Sequence, residues 1–349
     1  MTNSGCSSGN KDAGKDNLKS DAYTAFATYL ADVAKQFKSK WGINFQSMSP
    51  MNEPYTNFWG AFSNKQEGCH FDQGNSQSNI IIELRKALDE RNLKDIQISA
   101  SDETSIDTQI DSYNKLSQQA KKIVTRIDTH TYGGSKRDQL RVLAEKEGKN
   151  LWMSEVDGAG VEGTNPGEMG AALWLANRII TDLNLLRASS WILWQLIDNH
   201  ISKEGYNGKK DKGMVNVNGG FWGIAVADHD NNEIILTQKY YALGQFSRYI
   251  RPGYTIIGAY NGAVAAYDSN GKKCVIVATN TGGSDKSTDF DLSSFSKVGN
   301  SVSVIRTSGS ISNGEHWAEL KPLSTNGKRF SASLKANSIT TFIVEGVEE

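Results

Sequence analysis

Apolar residues recur in two different rhythms along the chain. From about residue 20 to 250, short apolar runs alternate with segments whose apolar residues step by three and four. From about 251 to 349, short apolar runs follow one another directly, with Gly, Ser, Asn and Asp between them. The first rhythm predicts parallel strands joined by crossover helices, and the second an antiparallel β-sandwich. In the first region Ser20 is placed to cap a helix bearing the apolar stripe Tyr23, Phe26, Leu30, Val33 and Phe37, which reads as core. Further helices are predicted around Ile81, Leu84 and Leu88, around Leu140 and Leu143, and over Met169, Leu173, Ala176, Ile180 and Leu183. A last one near Tyr240, Tyr241 and Phe246 ends by Arg251-Pro252-Gly253, a helix-stop signal. The predicted boundary divides the chain into 1–250 and 251–349.

Five strands are predicted between these helices: 44–48, 96–100, 126–130, 151–154 and 191–194. Each runs into polar or aromatic residues: Asn52 and Glu53, Asp102 and Glu103, His130 and Tyr132, Glu155 and Asp157, and Trp194 with Gln195 and Asp198. Chemistry gathered at the C-terminal ends of successive parallel strands is the mark of a (β/α)8 barrel's active face. Five units are visible, and three more would need roughly another 100 residues. The expectation is therefore an α/β fold, a (β/α)8 TIM barrel lacking its first three βα units, in a chain truncated at its N-terminus with Met1 an internal methionine. In the second region, strands are predicted at 254–259, 263–267, 274–278, 302–306, 330–334 and 340–344, with turns such as Ser269-Asn270-Gly271. Packing on the barrel is the expected role of this part, in preference to polysaccharide binding.

Composition narrows the chemistry. The 349 residues carry 38 Lys and Arg against 39 Asp and Glu, a formal net charge of -1. So even a balance offers no electrostatic footprint for nucleic acid. No apolar run approaches eighteen residues, so no membrane span is expected. Three cysteines exclude a disulfide scaffold and a four-thiolate zinc site. Cys274 reads as a buried small hydrophobe, while Cys6 and Cys69 are able to pair if the protein is secreted. No signal peptide is visible at Met1-Thr2-Asn3-Ser4-Gly5.

Glu53 in Met51-Asn52-Glu53-Pro54 and Glu155 in Trp152-Met153-Ser154-Glu155 each follow a strand directly, with two strand–helix units between them. If the first ends the fourth barrel strand, the second ends the seventh, and the two face each other across the mouth. Two opposed carboxyls are the machinery for cleaving a glycosidic bond, one as proton donor and one as nucleophile. On these residues and on the following sandwich, the sequence resembles glycoside hydrolase family 30, in the clan of retaining (β/α)8 glycosidases. The resemblance implies Glu53 as acid/base, Glu155 as nucleophile and Asn52 as the partner of the sugar 2-hydroxyl. It also implies that the family's sandwich normally takes strands from before the barrel. The stretches Met1 to Gly5, Gln66-Glu67-Gly68-Cys69-His70-Phe71 and Asp102-Glu103-Thr104-Ser105 look most like the endo-β-1,6-galactanase-like members.

Other residues have two readings. His130 and Tyr132 either orient the nucleophile and contact sugar, or form a hydrogen-bonded pair at the barrel rim. Trp194 is a candidate stacking platform for sugar against a core role, whereas Trp59 and Trp222 read as packing. Asp102 and Glu103 either bind sugar hydroxyls or sit in a solvated loop, and Asp157 competes with Glu155. Asp198, Asn199 and His200 lack a second clustered histidine, so no metal is expected, and Gly219-Gly220 matches no phosphate-binding fingerprint. The loop 199–220, with Lys203, Lys209, Lys210 and Lys212, reads as solvated or as a contact for an acidic sugar branch. The expectation is a retaining hydrolase of β-linked polysaccharide, β-1,6-galactan first, needing no cofactor, secreted or at the cell surface with its signal upstream of Met1. The rivals are the same machinery on glucuronoxylan, a non-catalytic carbohydrate-binding protein, and an inactive fragment.

Overall fold

Successive parallel strands build a five-stranded sheet in chain order: β1 (Ser47–Met48), β2 (Gln97–Ser105), β3 (Val124–Gly133), β4 (Asn150–Val156) and β5 (Ser190–Leu193). β1–β2, β2–β3 and β3–β4 are parallel ladders. The computed structural model describes residues 2–3, 7–63, 68–157, 168–202, 223–259 and 262–349. Five strands in this order, with helices between them, form a partial α/β barrel. All five predicted strands are present. β1 is shorter than predicted because the ladder to β2 holds only Ser47 and Met48, with one more backbone bond from Gln97 to the Gln46 carbonyl at 2.9 Å.

The crossovers are α1 (Tyr23–Trp41), α2 (Asn75–Glu90), α3 (Ile106–Lys115), α4 (Gln118–Ile123), α5 (Arg137–Glu147) and α6 (Met169–Leu185). Ser20 does not cap α1. The chain makes a turn first, with the Ala22 amide bonding the Lys19 carbonyl, so Ala22 takes the cap position with no side-chain bond. The stripe Tyr23, Phe26, Leu30, Val33 and Phe37 is only half-buried; Ala27, Ala31 and Ala34 form the buried line. Small side chains let α1 approach α2 closely, and the large ones flank that seam. On α2, by contrast, Ile81, Leu84 and Leu88 are fully buried, as predicted. α3 and α4 carry Ser105 and Ser117 caps.

The inner face of the sheet is tied together by one guanidinium. Arg126 on β3 forms a two-pronged ion pair with Asp128 at 2.6 and 2.9 Å, and reaches Ser47 on β1 at 2.8 Å and Ser99 on β2 at 3.2 Å. Its guanidinium carbon lies 3.5 Å from the ring centre of Trp152 on β4. One residue thus braces four strands just below the chemistry at their ends. Burial raises the Asp128 carboxyl above its ordinary value, and the Arg126 hydrogen bonds offset part of that rise. Arg126→Met should therefore cost about 3–5 kcal/mol, because it strands a buried carboxylate. Urea unfolding checks this; a loss below about 1 kcal/mol, the range of an exposed ion pair, would show that the brace is dispensable.

The chain divides into two compact units, residues 1–156 with 185–192, and residues 157–184 with 193–349. The second unit contains β6 (Ile197–Ile201), β7 (Ala225–Asp228) and β8 (Glu233–Leu236), then α7 (Gln238–Ser247). It continues with β9 (Thr255–Ile256), β10 (Ala263–Asp268), β11 (Lys273–Asn280), β12 (Lys286–Asp291), β13 (Ser301–Ser308), β14 (Glu315–Ser324), β15 (Arg329–Leu334) and β16 (Ser338–Glu345). Six of these strands form an antiparallel sheet ordered β14-β13-β16-β11-β10-β9, and β12 pairs with β15. Phe290 and Phe330 from the pair meet Phe342 of the larger sheet, and Cys274 is buried among them. α7 joins this unit through Gln245, whose amide nitrogen bonds Thr307 at 2.8 Å. β6, β7, β8, β12 and β14 were not anticipated; along β12 only Phe290 is buried, so its apolar signal is weak.

Cys6, Gln66, Glu67, Lys203, Lys209, Lys210, Lys212, Gly219, Gly220 and Trp222 lie outside the described residues, as do the side chains of Asp198, Asn199 and His200.

Candidate active site

The ends of β1 to β4 bring Glu53, Asp102, His130, Tyr132, Ser154 and Glu155 together. Glu53 sits just beyond β1 at φ +47, a backbone region that side chains seldom occupy. Its conformation is fixed from several sides. Its amide bonds the Asp102 carbonyl at 2.8 Å, while its own carbonyl accepts from the Trp59 indole and the Thr56 hydroxyl, each at 3.0 Å. Trp59 is buried and so packs, as expected, and it also pins this turn.

His130 is the centre of the cluster and has no exposed surface. Its Nδ1 lies 3.2 Å from Glu53 Oε1 and 3.8 Å from Glu155 Oε1, and its Nε2 lies 3.4 Å from Asp102 Oδ1. The Nε2 contact is an ion pair without hydrogen-bond alignment. Burial by itself would lower the imidazole pKa, but the contacts with Asp102 and Glu53 and the charge of Glu155 outweigh it and raise the value to about 10. The ring is therefore an imidazolium at neutral pH.

The Tyr132 hydroxyl donates to Glu155 Oε1 at 3.2 Å, and its ring meets His130 edge-on at 5.9 Å. Burial raises the Glu155 carboxyl. The His130 charge pulls it down, the charges of Glu53 and Asp102 lift it again, and the Tyr132 hydroxyl lowers it. Carboxylate oxygens of Glu53 and Glu155 and a ring nitrogen of His130 all lie within 4.8 Å of one another. Glu53 is the more enclosed of the two acids and Glu155 the more open, at 9% and 20% side-chain exposure.

Asn52 is exposed and opens on a cavity of about 370 Å³ shared with Met51, Trp59 and Phe71, which neither glutamate lines. Trp194 is 45% exposed in the second unit. Glu103 is neither solvated nor available to sugar: it is fully buried, bonded to Gln77 at 2.9 Å, Ser112 at 2.6 Å and the Tyr55 amide at 3.0 Å. Asp157 is held by Lys239 at 2.6 and 2.7 Å, a buried pair inside the second unit.

Asp16, His70 and Asp72 also approach one another closely enough for a cation. Their atoms are already engaged, however: Asp16 accepts from the Asp72 amide and from Ser76, and His70 faces Thr56 O and Asp72. Sequence reasoning missed Ser154, whose hydroxyl donates to Asp102, and the convergence of Asp102 on His130. The signal available was the placement of both at predicted strand ends.

An acid pair at the strand ends of a partial α/β barrel is the arrangement of barrel glycosidases. Residues 1–133 match O-Glycosyl hydrolase family 30. The chain is 33% identical over 338 residues to an endo-beta-1,6-galactanase of Hypocrea rufa, covering 95% of this chain and 64% of that protein. It is 27% identical over 347 residues to glucuronoxylanase XynC of Bacillus subtilis, covering 96% and 69%. Among solved structures, the family 30 subfamily 8 xylanase Xyn30A from Clostridium acetobutylicum matches with a TM-score of 0.69 at 24% identity, over 94% of this chain and 73% of that one. The chain is thus family 30-like and, within the family, endo-β-1,6-galactanase-like. It spans somewhat under two thirds of the galactanase's length.

Proposed function

We propose that this protein is a retaining glycoside hydrolase of β-linked polysaccharide, with β-1,6-galactan as its substrate. The observation that carries the proposal is the approach of Glu53 and Glu155 to within 4.8 Å at the strand ends. Retaining enzymes hold their carboxyls about 5–5.5 Å apart, and inverting ones leave about 6.5–9.5 Å for a water molecule. In this reading Glu53 protonates the leaving oxygen while Glu155 attacks the anomeric carbon. The roles follow the Asn52-Glu53-Pro54 and Ser154-Glu155 motifs. Asn52 contacts the sugar 2-hydroxyl, and Tyr132 steers Glu155. His130, lacking exposed surface, acts on the two acids rather than on sugar.

We read residues 1–250 as five of the eight barrel units, lacking the first three, and 251–349 as the β-sandwich domain. Support comes from a sheet that, among the described residues, runs from β1 to β5, and from two antiparallel layers sharing an apolar core. A polysaccharide substrate places the enzyme outside the cell or on its surface. Among the described residues no helix is long and apolar enough to cross a membrane.

A panel of defined glycans tests the substrate. Galactose oligomers should appear from β-1,6-galactan, and proton NMR during the first turnovers should show the β-anomer. Products from glucuronoxylan alone would favour the xylanase alternative, and an initial α-anomer would exclude double displacement.

A further inference from the structure

Both ring nitrogens of His130 face carboxylates: Nδ1 meets Glu53 and Glu155, and Nε2 meets Asp102. A neutral imidazole has one N–H and one lone pair, so one nitrogen would point a lone pair at an anion. The imidazolium can donate on both sides, to Asp102 through Nε2 and to the Glu53–Glu155 pair through Nδ1, and a buried charge needs compensation where it sits.

We propose that Asp102 is a positioning residue of the active site, which by anchoring His130 as a cation fixes the charge and direction of the Glu53–Glu155 pair. The proposal rests on the functional reading above, since it gives the pair its purpose.

The local structure is arranged around Asp102. It stands on β2 at φ +69, its carbonyl accepts the Glu53 amide at 2.8 Å, and its Oδ1 accepts the Ser154 hydroxyl one residue before Glu155. Asp102 therefore touches the backbone of one acid's turn, the neighbour of the other acid, and the imidazolium between them. The groups facing His130 are Glu53 beyond β1, Asp102 on β2, Glu155 on β4, and Tyr132 on its own strand. Asp128, also on β3, is paired with Arg126. Two carboxyls this close repel when ionised, and a cation beside them offsets that repulsion.

Asp102→Asn is the decisive variant. Asn tolerates positive φ, keeps an oxygen for Ser154 and removes the charge. Three results are expected. The His130 imidazole midpoint, followed by NMR in the whole protein, falls by about one pH unit or more from its value near 10. The alkaline limb of kcat/KM moves down with it, and kcat falls more than KM rises. Should this variant not fold, the parent protein and Ser154→Ala still decide. Parent His130 must titrate well above its ordinary 6.5, and Ser154→Ala, by removing a donor that compensates the Asp102 charge, must shift it further upward. A parent midpoint near 6.5, or a midpoint unmoved by either substitution, overturns the proposal. The NMR measurement needs no turnover, so absence of cleavage on every glycan would overturn the functional reading separately.

Discussion

Glu155→Ala should lose hydrolysis by about 10⁴-fold or more while keeping its fold, because it removes the atom that bonds to sugar. The side chain is one-fifth exposed at the end of β4, and apart from Tyr132 its close neighbours are groups of the same cluster. Its removal therefore costs little packing. The substitution also leaves a gap on the face of the sugar opposite the leaving group. Added azide should enter that gap and give a glycosyl azide of inverted configuration, since one displacement then replaces two. In the parent protein Glu155 must be ionised to attack. Burial, joined by the charges of Glu53 and Asp102, lifts its pKa above the ordinary 4.5. The acid limb of kcat/KM should accordingly lie above 4.5, with activity falling as pH drops through it. Retained turnover in Glu155→Ala would move the nucleophile elsewhere.

Glu53→Ala should fail differently. Loss of a general acid costs about 10²–10⁴-fold where the leaving oxygen needs a proton. It should cost far less on an aryl glycoside whose leaving group departs as a stable anion. Kinetics on polysaccharide and on such a substrate, compared in one variant, separate the two roles. Azide should again raise the rate, but now with retained configuration, because Glu155 still forms the intermediate. Equal losses on both substrates would remove the acid assignment.

The five parallel strands and both glutamates were legible in the sequence, because each strand is a short apolar run that ends abruptly in polar residues. The pairing of strands then carries those ends to one edge of the sheet. What escaped notice depends on that pairing. Asp102 and Glu103 are adjacent and chemically alike, yet strand alternation sends Asp102 to His130 and Ser154 and Glu103 outward to Gln77 on α2 and Ser112 on α3. No local pattern distinguishes them. On α1 the helix itself was legible but its buried face was not: the alanines do the closest packing, and the large apolar side chains that mark the stripe flank them.

The most direct test of the central claim is to trap the sugar on the protein. A 2-deoxy-2-fluoro-β-galactosyl donor with a good leaving group slows the second displacement more than the first. Mass spectrometry of the digested protein should then find one fluorogalactosyl group on the peptide containing Glu155, and none when Glu155 is replaced. A label on another carboxyl, or turnover with no adduct and an inverted product, would contradict the account.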